Sequence, residues 1–180
     1  KGGSKERTFY INQVNDHWSS LDLGWASREG SEVKEIIVDC SCLEQLFLDF
    51  GVPKYLKIDV EGADEMVLDQ LAELDKIPYC LSIEDCRFGY RYMSKMSSLG
   101  YTRFKILDQS QVSNIKLPVT DHAFSKASSG PFGDDVPGKW LTYEEVERLY
   151  SQTVRDHQGN RLADSTHWWD IHGCGPADAA

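Results

Sequence analysis

Residues 35–107 alternate short runs of two-residue period with longer runs of helical period, and no other feature of the chain limits its fold as much. Residues 35–39 read as a strand. Ser41 then stands three positions before Glu44, the spacing of a capping box, and Leu43, Leu46, Phe47 and Phe50 follow at helical intervals until Gly51 and Pro53 stop them. Residues 55–60 form the next strand. A helix follows from about Gly62 to Leu74, with Asp64 and Glu65 in its first turn, where the helix dipole favours negative charge. A strand over 79–84, a helix over 88–99 ended by Gly100 and a strand over 101–107 complete the series. Strands joined by helices return in the same direction through right-handed crossovers, so the order predicts an α/β fold around a mostly parallel sheet.

The flanks are less regular. A strand over 7–12 leads into a polar, irregular stretch through Gly30 that carries Trp18 and Trp25. Residues 125–138 are rich in Ser, Gly, Pro and Asp, so 108–140 is expected to be a loop or lid within a single domain spanning 1–180. Thr142 and Glu145 repeat the capping-box spacing, with Leu141 and Val146 placed as a hydrophobic staple, and that helix should reach about His157. Residues 167–172 read as a final strand, at an edge, with Trp168 and Trp169 packing.

Composition narrows the function classes. Over 180 residues the net charge is −10 and no Lys/Arg cluster makes a basic face, which argues against nucleic-acid binding. No apolar run nears the roughly 20 residues of a membrane span. Five cysteines without a C-x-x-C pair are expected to be free thiols in a reducing cytoplasm.

The chemistry concentrates on two strands. In 55–60, Leu56, Ile58 and Val60 point one way and Lys57, Asp59 and then Glu61 the other; in 79–84, Cys80, Ser82 and Glu84 share one face. Strands covered on both sides are normally apolar on both, and burying an unpaired charge is expensive. Ligands of open parallel sheets bind at the carboxyl ends of the strands, where Asp59, Glu61 and Glu84 fall. Each has a plainer reading: Asp59 or Glu61 as a helix cap, Lys57 as a structural partner of Asp59, Glu84 as an ordinary end-of-strand charge. His122 is a candidate general base or a surface histidine. His167, Asp170, His172 and Cys174 are spaced for a divalent-metal site or for an edge strand. Phe132 and Trp140, flanking the Gly-rich loop, would cover an acceptor sugar or anchor the loop.

The string Val52-Pro-Lys-Tyr-Leu-Lys-Ile-Asp-Val-Glu-Gly-Ala-Asp64, with Met66-Val-Leu68 and Pro78-Tyr-Cys-Leu-Ser-Ile-Glu84, resembles the signature of FkbM-type methyltransferases. The likeness is good over about 35–108. It implies a Rossmann-like methyltransferase sheet that moves a methyl group from S-adenosylmethionine to a hydroxyl oxygen of a sugar or secondary metabolite. On that resemblance Lys57, Asp59 and Gly62 contact the cofactor, Asp59 and Glu61 edge the cofactor and acceptor pocket, and Glu84 is a second wall. The chain departs from the pattern in having no glycine-rich turn after a first strand within 1–54. It also begins at Lys1 rather than Met. The expectation is therefore the C-terminal part of a longer enzyme, lacking its N-terminal cofactor-binding strands and with an open sheet edge that favours a homodimer. The partner would be a small-molecule or glycan acceptor. Two alternatives from other classes are a metal-dependent hydrolase using Asp59, Glu61, Glu84 and His172, and a non-catalytic glycan- or protein-binding module.

Overall fold

A computed structural model describes residues 5–117, 120–126 and 128–176. Lys1, which enters the sequence reading, lies outside the described residues. The chain divides into two compact units, 1–53 with 58–77 and 54–57 with 78–180.

The first unit is built on an antiparallel hairpin of β1 (Lys5–Asn12) and β2 (Val33–Cys40), paired from Lys5 opposite Cys40 to Asn12 opposite Val33. Between the strands lie short helical turns and α1 (Leu23–Ala26), whose N-cap Asp22 accepts from the Trp25 amide. Asn12 ties the excursion down, because its buried side-chain amide donates to the Ala26 carbonyl at 2.7 Å. The helix after β2, α2 (Leu43–Phe50), ends at Gly51 with φ of +82°, a conformation that costs a glycine little. Its start differs from the capping box read in the sequence. Cys42 is the N-cap and makes no side-chain cap bond; the Leu43 amide instead donates to Gln70 Oε1 at 2.9 Å on α3 (Asp64–Ala72).

The second unit holds a four-stranded sheet in the order β3 (Tyr55–Ile58), β4 (Cys80–Glu84), β8 (Trp169–Cys174), β5 (Arg103–Asp108). Two short strands, β6 (Lys116–Leu117) and β7 (His122–Ala123), form a separate hairpin. The sheet is mixed. β3 and β4 are parallel, while β8 is antiparallel to both β4 and β5. The expected mostly parallel sheet is corrected at that strand: the final segment is not an edge but sits between β4 and β5, where residues 170–174 are paired on both sides. Periodicity marks a strand without telling its position in the sheet.

The two faces of this sheet differ. Leu81, Ile83, Phe104 and Ile171 alternate onto one face and are fully buried, with Tyr92, Met93 and Met96 of α4 (Gly89–Ser98) among the same core. The helix α5 (Tyr143–Thr153) begins with the expected capping box, Thr142 and Glu145 each satisfying the other's backbone, and buries Val146 and Tyr150. Cys80 and Cys174, opposite one another across β4 and β8, form a disulfide, which corrects the expectation of free thiols for this pair; Cys40, Cys42 and Cys86 are in no disulfide among the described residues. No described helix is long and apolar enough to cross a membrane.

Candidate functional site

In the first unit the chemistry lies in the turn that leads into α3. Glu61 has φ of +48°, which a residue with a side chain adopts only when its surroundings hold it there, and Gly62 follows at +92°. The restraints are visible. Trp25 Nε1 donates to Glu61 Oε2 at 2.8 Å, Arg28 Nη2 donates to the same oxygen at 3.2 Å, and Ser20 Oγ donates to the Glu61 carbonyl. The Arg28 guanidinium in turn lies 4.7 Å from the ring centroids of both Trp18 and Trp25, within cation–π range. Neither Asp59 nor Glu61 caps the helix, because Ala63 is the N-cap and lacks a side-chain cap bond. Buried Asp64 closes the turn instead, accepting from the amides of Val60 at 3.1 Å and Gly62 at 2.9 Å. Asp59 is exposed and Glu61 half-buried.

In the second unit the other face of the sheet is polar and largely buried. Asp170, 1 % exposed, takes a salt bridge from Lys57 at 2.7 Å and a hydrogen bond from Gln109 Nε2 at 2.8 Å. Tyr55 and Ser82 share a hydrogen bond of 2.6 Å. His172 lies between Ser82 and Lys105 in register, 1 % exposed, and neither of its ring nitrogens has a hydrogen-bond partner among the described residues. Burial, with Lys57 and Lys105 adding to it, pushes its pKa down from 6.5 to about 3, so the ring is neutral at neutral pH. Beyond the strand end, buried Asp85 accepts from Tyr150 Oη and from Arg155 Nε, the latter at 2.7 Å. Burial and the Asp85 carboxylate hold the Tyr150 phenol well above its ordinary range. Glu84 ends β4 half-buried, with Cys86 Sγ 3.7 Å from its carboxylate, and Cys86 and Arg87 both take positive φ in the turn that follows.

The loop aromatics belong to a cavity of about 410 Å³ at the Cys80 end of β4. Phe132 stacks on Tyr55 with centroids 4.5 Å apart. Trp140 donates to Asp134 at 2.7 Å and has Arg103 and Lys105 at 4.9 and 4.4 Å from its ring centroid. Both rings therefore anchor the loop and also line the cavity. His122 is exposed on β7 with its ring edge-on to Phe124.

The spacing of His167, Asp170, His172 and Cys174 does not produce a metal site. Cys174 is spent in the disulfide, His167 Nδ1 pairs with Asp108, and Asp170 holds Lys57 and Gln109. Of the residues that the resemblance assigns to S-adenosylmethionine, Lys57 pairs with Asp170, Asp59 is exposed, and Gly62 has Trp25 beside it, two of whose ring carbons lie 2.8 Å from where a Cβ would stand. The clamp of Trp25, Arg28 and Ser20 on Glu61 was not read from the sequence; the only signal was a pair of tryptophans in an otherwise polar stretch.

Compared with known families, residues 1–120 match the methyltransferase FkbM domain. No curated protein matches the chain, and no solved structure does.

Proposed function

The chain belongs to the FkbM methyltransferase family, and from that premise we propose that it takes part in methyl transfer from S-adenosylmethionine to a hydroxyl oxygen of a sugar or secondary metabolite, on a Rossmann-like scaffold. One observation carries the reading: the family match includes the Lys57–Asp64 string, and within it Glu61 is held in a costly backbone conformation by three other side chains. Strain maintained by dedicated contacts is characteristic of functional turns. Asp59, exposed two residues before Glu61, is the carboxylate we assign to the acceptor, where it would orient the hydroxyl and draw off its proton; Glu61, Glu84 and His122 are the further groups assigned to catalysis. Displacement at a sulfonium asks little covalent help from a protein, so positioning accounts for most of the rate.

The test is transfer of a labelled methyl group from S-adenosylmethionine by the full chain to a panel of sugars and hydroxylated metabolites. Asp59→Asn should lower the rate by about 10²-fold or more while leaving the thermal midpoint unchanged. Titration calorimetry that detects no cofactor binding, together with no transfer to any acceptor, would overturn the assignment.

A further inference from the structure

We propose that the first unit carries a binding site for an amphipathic anion, a molecule with an apolar body and a terminal carboxylate, in the cavity beside the turn into α3. The inference rests on that cavity alone and stands whether or not methyl transfer is the activity.

The cavity measures about 430 Å³, within the range of small-molecule sites. Its apolar wall is Leu21, Val60, Ala63, Met66 and Val67. Val60 and Met66 are respectively 42 % and 58 % exposed, so they offer apolar surface that the fold itself leaves uncovered. Among the described residues, the charged ones in the lining are Lys5 and Arg7 and no carboxylate lines it, although the chain carries a net charge of −10. The hairpin sets this asymmetry. Lys5 and Arg7 alternate onto one face with Cys40 and Val38 opposite them, while Glu6 and Asp39, also opposite one another, fall on the other face. Two cations beside apolar surface, with the nearby acids turned away, attract a carboxylate and repay the removal of a hydrocarbon body from water.

Cys40 and Cys42 are free thiols in the same lining, which gives a local readout, and Cys86 in the other unit is an internal control. The probe is decanoate below its micellar concentration, with 1-decanol as the neutral counterpart. Alkylation of each cysteine by iodoacetamide is followed by peptide mass spectrometry. Decanoate should slow modification of Cys40 and Cys42 and leave Cys86 unchanged. Its apparent affinity should rise about fourfold for each methylene added from octanoate upward. 1-Decanol should bind about tenfold more weakly, the difference of one charge-assisted bond. Lys5→Glu with Arg7→Glu should erase the preference for the acid, and Met66→Trp, which fills the cavity, should abolish protection of both cysteines. Equal protection by the alcohol and the acid, or equal slowing at Cys86, would overturn the proposal.

Discussion

His172 is a buried ring whose two nitrogens find no partner among the described residues, and replacing it by leucine isolates what that ring costs. At pH 7 both the folded and the unfolded forms are mostly neutral. An unpartnered polar group in the interior costs about 1–3 kcal/mol, so His172→Leu should be as stable as the parent or more stable. Acid separates the two proteins. Unfolded, the ring takes a proton near 6.5; folded, burial and the two lysines delay it to about 3. Between those values the unfolded chain binds the extra proton, so stability is intact above 6.5 and falls as the pH drops toward 3, by about 1.4 kcal/mol per pH unit. Across the whole window that amounts to about 5 kcal/mol, and from pH 7 to pH 5 to about 2 kcal/mol. Urea unfolding followed by tryptophan fluorescence at both pH values measures the difference. The variant should gain about 2 kcal/mol on the parent between pH 7 and pH 5. If the two proteins lose stability in parallel, or if the variant is already more than about 2 kcal/mol weaker at pH 7, the ring is not an unpartnered neutral base.

Three further outcomes are expected. Gly62→Ala forces a Cβ to within 2.8 Å of the Trp25 ring at a residue with φ of +92°, so it should destabilise the first unit by more than about 1 kcal/mol and alter the tryptophan emission. Thr142→Ala removes one half of the capping box on α5 and should cost about 1 kcal/mol by urea unfolding, with Thr142→Ser close to neutral. Opening the disulfide with Cys80→Ser and Cys174→Ser frees a loop of sequence separation 94 and should lower stability by about 2–5 kcal/mol, seen as a lower thermal midpoint than that of the oxidised parent.

Local features were legible in the sequence to the extent that their causes are local. The capping box at Thr142 uses backbone groups three residues away and forms as read. The pattern at Ser41 and Glu44 did not, because Gln70 supplies a more distant partner for the Leu43 amide. Alternation in β4 separated Ser82 from Leu81 and Ile83, yet all three are buried, since the polar face is covered as well. What covers it comes from far along the chain: Asp170 is 113 residues from Lys57 and 61 from Gln109. No spacing rule reaches that distance. The same holds for the Cys80–Cys174 pair, which five cysteines leave undetermined. At the candidate site the motif residues were visible one by one, but the Trp25 and Arg28 clamp was not, because its geometry depends on how the stretch before β2 folds back onto the hairpin.

The central placement of β8 sets the timing of assembly. β4 and β5 touch β8 rather than each other, so the sheet of the second unit cannot close until a ribosome has released the chain through Cys174. Until then both strands present open ladders to any extended segment nearby, and their closure depends on pairings of high sequence separation, which form slowly. A nascent chain stalled before Trp169 would therefore be a ready target for chaperone capture or clumping, while a few more residues of synthesis would seal it.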